Sequence, residues 1–156
     1  MEKMIVMKIK DIRYHVVLLL FLISLISSIM LSVTPVSVIC DVSSGCEVVH
    51  YSQYNYTFGM QNSYYGVIIF ALLIILTLSY LINPTQNKKA MINLSIVIGS
   101  LIALYFLSIQ HFILEAYCRY CLIVDFSMMI SLILIFPELK KGFFGFKNEE
   151  NIAEGS

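Results

Sequence analysis

Four cysteines carry the chemistry that this 156-residue sequence offers: Cys40 and Cys46, then Cys118-Arg119-Tyr120-Cys121 far along the chain. A thiolate attacks a disulfide sulfur, so two pairs brought together can pass a disulfide from one to the other. The local sequence suits reactive thiols. Ser44-Gly45-Cys46-Glu47 reads as a capping box, a serine followed three residues later by a glutamate. It predicts a short helix over about residues 45–53, with Cys46 in the first turn, where the helix dipole favours thiolate. Cys118 opens an apolar helical segment in the same way, and Arg119 adds positive charge beside it. A Cys-x-x-Cys at a helix start brings its two sulfurs within bonding reach. These features point to exchangeable disulfides. Two alternatives stay open: static disulfides that fasten a loop, and a zinc site, for which Cys-x-x-Cys is a half-site. The Cys40 to Cys46 spacing is wider than the usual zinc pair, which counts against metal.

The composition says what must hold these cysteines. The apolar share is 59%, the charged share 13% and the mean hydropathy +0.85. Soluble domains are about 25% charged, so an ordinary cytosolic fold is excluded. With no net charge and no basic stripe, nucleic acid is not an expected partner. A membrane-spanning helix needs about 20 mostly apolar residues. Four segments qualify: residues 14–38, 64–82 (ending at Asn83-Pro84), 91–114 and 118–136 (ending at Pro137). Their connections are a polar, aromatic loop over 39–63, a tight turn over 83–90 and a minimal link over 115–117. Open strands cannot cross lipid, so the expected fold is an all-α membrane protein, a four-transmembrane-helix bundle with an outer loop carrying the short helix. The expected organisation is a basic tail over 1–13, a catalytic bundle over 14–136 and a second tail over 137–156.

Orientation follows from the lysines and arginines. Lys3, Lys8, Lys10 and Arg13, then Lys88 and Lys89, then Lys140, Lys141 and Lys147 fall on one side of a four-span chain; only Arg119 falls on the other. Nine of the ten basic residues therefore agree with both termini in the cytoplasm, as in a multi-pass protein of the cell membrane. All four cysteines then lie on the extracytoplasmic, oxidising side, where disulfides persist. The first span is read as uncleaved: no alanine precedes Ala71, so an Ala-x-Ala site is missing, and Ile39 is too large for a lipoprotein site at Cys40. Asn55-Tyr56-Thr57 is a glycosylation sequon on the expected outer face, a short motif that is often unused. A cysteine pair at the lipid boundary can pass two electrons to a lipid-soluble quinone, and bundles often build ligand sites between their helices.

This arrangement resembles the vitamin K epoxide reductase family, and more closely its prokaryotic members, which couple quinone reduction to disulfide formation in secreted proteins. The matching residues are Cys40-Asp41-Val42-Ser43-Ser44-Gly45-Cys46, Asn62-Ser63-Tyr64-Tyr65-Gly66 and Cys118-Arg119-Tyr120-Cys121. The DsbB type of disulfide generator also has four spans and four cysteines, but its Cys-x-x-Cys comes in the first outer loop and here it comes last. The resemblance implies a thiol:quinone oxidoreductase. Cys118 and Cys121 match the active-site pair, Cys121 facing the quinone; Cys40 and Cys46 match the shuttle pair, Cys40 taking the partner's attack and Cys46 exchanging with Cys118. Asn62 matches an asparagine that hydrogen-bonds a quinone oxygen; its plainer role is to cap the second span. The resemblance further implies a menaquinone, a ubiquinone or a related quinone as electron acceptor. The loop helix would lid the pocket, with Phe58 and Met60 as apolar cover; the plainer role of those two is contact with the membrane interface.

Asp125 departs from the family pattern, which often has an aromatic or apolar residue there. It lies four residues after Cys121, on the same helical face. An intramembrane acid is a functional candidate, here a proton donor to the reduced quinone; the plainer reading is a hydrogen bond to a neighbouring helix. His111, near the outer end of the third span, is read as a satisfied interface histidine. About twenty residues follow Phe136, too few for the thioredoxin-like domain fused to many prokaryotic relatives, so the expected partners are membrane lipid and a separate thioredoxin-like protein. Phe143-Phe144-Gly145-Phe146 with its lysines reads as an interfacial anchor. Competing readings of the whole are reduction of a vitamin K epoxide and a non-enzymatic, disulfide-stapled membrane protein.

Overall fold

The computed structural model describes the backbone of residues 2–35, 38 and 45–153, and the side chains of 12–35, 38 and 45–140. Among the described residues, four long helices carry the fold: α1 (Glu2–Val33), α3 (Asn62–Ile82), α4 (Gln86–Phe112) and α5 (Arg119–Ala153). A short helix α2 (Gly45–Tyr51), a single 3-10 turn (Gln53–Asn55) and a hairpin of β1 (Tyr56–Thr57) and β2 (Met60–Gln61) fill the connection from α1 to α3. Each long helix contains a segment long and apolar enough to cross a membrane: Ile12–Val33, Asn62–Ile82, Gln86–Phe112 and Arg119–Lys140. The protein is an all-α integral membrane protein with four spans.

The helices form a closed ring. α1 packs against α3 and α5, and α4 packs against α5 and α3. The core is apolar at its centre, with Tyr14, Val17 and Phe21 of α1 meeting Phe70 and Leu73 of α3, Ile92 and Ile96 of α4, and Met128 and Ile135 of α5. The exposed faces are just as apolar: Leu19, Leu72, Leu101 and Ile133 all point outward. Hydrocarbon outside gives apolar side chains no reason to turn inward, so close approach and internal polar contacts set helix association. Small residues supply the approach. A Cβ on Gly66 would lie 2.8 Å from the Ser28 hydroxyl oxygen, and one on Gly99 would overlap the end of Met128. The Ser100 hydroxyl donates to the Ile96 carbonyl (2.7 Å) and the Met128 carbonyl (3.1 Å), which joins α4 to α5.

The short helix α2 stops at Tyr51 rather than residue 53, and among the long helices three ends differ most from the sequence expectation. α1 stops at Val33 rather than reaching residue 38, because Thr34 precedes Pro35 and a residue before proline avoids helical geometry. α4 begins at Gln86, so the tight turn shrinks to residues 83–85; the Lys88 ammonium donates back to the Ser79 and Asn83 carbonyls at the end of α3. α5 does not stop at Pro137 but runs through it. Pro137 has no N–H for the Ile133 carbonyl, yet the turn beyond it is anchored. The Glu138 carboxylate is buried and pairs with Lys89 of α4 and Arg13 of α1, the latter at 3.9 Å, and Leu139 packs on the core. Next to this cluster the Tyr14 hydroxyl donates to Asn93 at 3.3 Å. The tertiary anchor outweighs the local stop signal.

Glu138 is the buried member of this cluster, while Arg13 and Lys89 keep 30% and 19% of their side chains exposed, so its loss unties α5 from α1 and α4 but leaves cations that solvent still reaches. Glu138→Ala is therefore expected to cost about 1 kcal/mol, the scale of partly exposed ion pairs, read as a lower melting temperature in detergent. An unchanged melting temperature would show that the Arg13–Lys89–Glu138 cluster does not anchor α5.

Candidate active site

The end of the bundle opposite Glu138 holds Cys46, Cys118 and Cys121. α2 begins at Gly45, so Cys46 sits in its first turn and Glu47 is the acidic residue of that turn. Cys40 and Ser44 lie outside the described residues, as does the expected capping box with its serine. Cys46, Val49 and His50 form the buried face of α2. Gly45 allows this face to seat: a Cβ there would stand 2.6 Å from the Tyr117 backbone nitrogen and 2.9 Å from the Ala116 side chain. A side chain at position 45 would push α2 away from the segment leading into α5.

The rest of the connection holds α2 down from the other side. Burial keeps the His50 imidazole below its ordinary pKa. Its neutral Nε2 accepts from the Gln61 amide at 3.1 Å, and its carbonyl accepts from the Asn55 amide at 2.8 Å. β1 and β2 pair Tyr56 with Gln61 and Thr57 with Met60, leaving Phe58-Gly59 as a two-residue turn. Both turn residues have positive φ, 53° and 82°. The turn decides between the two readings of Phe58 and Met60, against cover. Phe58 stands at the tip and is 96% exposed, and neither it nor Met60 lines the cavity below. The cover comes instead from Val49, Ser52, Tyr54 and Asn55.

Under that cover lies a cavity of about 120 Å³. Its apolar wall includes Leu31, Phe106, Ile109 and Leu114; its polar groups are Asn62, Ser63, Gln110 and Asp125, and Cys121 opens onto it. Cys118 faces the other way. It is 1% exposed, and its sulfur lies 3.6 Å from the Cys46 sulfur. Cys46 is disulfide-bonded while Cys118 and Cys121 are free thiols. One helical turn thus presents one sulfur to α2 and the other to the cavity.

Asn62 is the first residue of α3. Its Oδ1 accepts from the Thr57 hydroxyl (2.7 Å) and its Nδ2 donates to the Tyr54 carbonyl (2.8 Å), so the loop fixes its amide at the cavity edge. The Ser63 hydroxyl is buried at the same wall and has no hydrogen-bond partner among the described residues. Asp125 is buried, and its Oδ2 accepts from the Gln110 amide at 3.5 Å. Sequence reasoning missed Gln110. It belongs to no motif, and only its place as a polar residue near the end of an apolar helix could have drawn notice. His111 Nδ1 lies 2.6 Å from the Tyr117 hydroxyl, outside the cavity.

Cys118 lies one residue ahead of the spanning segment Arg119–Lys140. The hydrogen bond with the Cys121 thiol pulls the Cys118 thiol from 9.0 down to about 7, against burial, which pushes it up. The nucleophile is the thiolate, so the modification rate of Cys118 should rise with pH through about 7 and level off above it. Site-resolved mass spectrometry with a small thiol reagent reads this. Cys121→Ala should move the inflection upward, and an inflection near 9 in the unaltered protein would refute the assignment.

A comparison with curated proteins returned no match. Comparison with family models matched residues 15–136 to the vitamin K epoxide reductase family. That match takes in the four spans, α2, the hairpin and both cysteine pairs, and on this ground the chain belongs to the vitamin K epoxide reductase family of membrane oxidoreductases.

Proposed function

We propose that the protein moves electrons from a thioredoxin-like dithiol partner, through Cys40–Cys46 and then Cys118–Cys121, to a quinone, and so sustains disulfide formation. The observation that carries this reading is the division of labour in one helical turn, with Cys118 against Cys46 at 3.6 Å and Cys121 on the cavity wall. The catalytic unit is residues 14–136. The partner dithiol reduces the Cys40–Cys46 disulfide. The Cys46 thiolate attacks Cys118 of the Cys118–Cys121 disulfide; an S–S bond forms between them, and Cys121 leaves as a thiolate at the cavity. Cys40 then attacks Cys46, which restores their disulfide and releases Cys118.

A bound quinone would supply a two-electron, two-proton acceptor. The cavity suits such a group: an apolar wall for a ring, Asn62 held by the loop for a carbonyl oxygen, and the Ser63 hydroxyl beside it. Cys118 and Cys121 give up the electron pair and close to their disulfide again. Asp125, at the same wall, is placed to hold a proton for the acceptor. Nine of ten basic residues support cytoplasmic termini, with the cysteines on the extracytoplasmic side of the cell membrane.

Purified protein, a reduced thioredoxin-like donor and menaquinone or ubiquinone should give loss of quinone absorbance. Cys40→Ser and Cys121→Ser should each cut turnover by about 100-fold or more, as expected for residues acting as one unit. Failure of the unaltered protein with every donor and quinone would sink the reading, and turnover without Cys121 would overturn the roles. For orientation, an impermeant thiol reagent applied to intact cells should label a cysteine placed at the exposed Phe58 and spare one placed at Lys88; the reverse pattern would invert the topology.

A further inference from the structure

Gln110 is buried on α4 and touches both halves of the site. Its carbonyl oxygen on the main chain accepts from the Ala116 N–H at 3.2 Å, and its side-chain Oε1 accepts from the Cys118 N–H at 3.1 Å. The orientation of the amide is therefore determined. A backbone N–H only donates, so Oε1 faces Cys118 and Nε2 faces Asp125, where it donates to Oδ2 at 3.5 Å. The segment between is folded back to meet it. Glu115 adopts a positive φ of 46°, a geometry that is strained for a non-glycine residue and persists only where the surroundings hold it.

We propose that Gln110 is a positioning residue that couples the two steps of the electron path. Oε1 seats the first turn of α5 so that Cys118 meets Cys46. Nε2 holds one oxygen of Asp125, so the acid keeps its place at the cavity where Cys121 opens. The inference rests on the proposed function, and it assigns to one amide both the exchange geometry and the acceptor geometry.

The oxygen and nitrogen roles can be separated by substitution. Gln110→Leu removes both hydrogen bonds. Gln110→Glu, measured at a pH where its carboxyl is ionised, keeps an acceptor for the Cys118 N–H and loses the donor to Asp125. Two partial reactions are read on each. The first is formation of the Cys46–Cys118 disulfide in a Cys121→Ser background, where Cys118 attacks Cys46 and Cys40 leaves as a thiol. The second is single-turnover oxidation of the reduced Cys118–Cys121 pair by menaquinone. Gln110→Leu should slow both by about tenfold, the scale of one lost hydrogen bond. Gln110→Glu should recover most of the exchange rate while acceptor reduction stays slow. Equal slowing of both reactions by both variants, or no slowing by either, would overturn the proposal. Because the exchange reaction uses no quinone, failure of the unaltered protein to reduce menaquinone would sink the proposed function while the exchange rates still judge the Oε1 contact. Melting temperatures of both variants in detergent separate a folding defect from either result.

Discussion

In hydrocarbon, a backbone N–H or C=O that finds no partner inside the protein finds none at all. This constraint shapes the whole molecule. It makes each span a helix, and it removes the usual drive to hide apolar side chains, since Leu72 and Leu101 are as well placed against lipid as Phe21 is in the core. What the interior then collects is polar. Ser24, Thr77, Ser100 and Ser131 are all buried, and most return their hydroxyls to their own helix; Ser100 also reaches across to α5. At the far end from the cysteines, the same constraint forces Glu138 to keep cationic partners on two other helices.

The active end applies that logic to a loop. Residues 45–61 carry exposed polar backbone that cannot lie in lipid, so they fold over the bundle end as a short helix, a turn and a hairpin. Their hydrogen bonds run inward: Asn55 to His50, Gln61 to His50, Asn62 to Tyr54 and Thr57. A cover built this way is fastened by its own polar groups, which lets Val49 close the cavity and Cys46 rest on Cys118. Gly45 matters because the contact between α2 and residues 116–117 is backbone against backbone, with no room for a side chain.

Much of this was legible in the residues. The four spans follow from hydropathy, because about 20 apolar residues in a row have few other uses. The cysteine pairs, Asn62 and Asp125 were visible because each is a chemically distinctive residue at a span end or within a span. The extension of α5 through Pro137 was not visible, since a proline is read locally and its tolerance depends on Glu138 and Leu139 meeting other helices. Of the two sequence readings of Phe58, cover over the pocket and contact with the membrane interface, only the turn decides against the first. An aromatic residue in a loop suggests cover, but a left-handed turn sends it outward.

The sequence by itself determined the membrane class, the number of spans, the shared end of Cys46, Cys118 and Cys121, and the family that the chain resembles. These depend on composition, on spacing along a helix and on charge, all of which are one-dimensional. Only the tertiary structure decided that Cys118 turns to Cys46 while Cys121 turns to the cavity, and that Gln110 joins Cys118 to Asp125. Those facts depend on how α2, α4 and α5 meet. Contacts between residues 46 and 118, or 110 and 125, are set by helix packing and loop closure, and no local pattern in the chain encodes them.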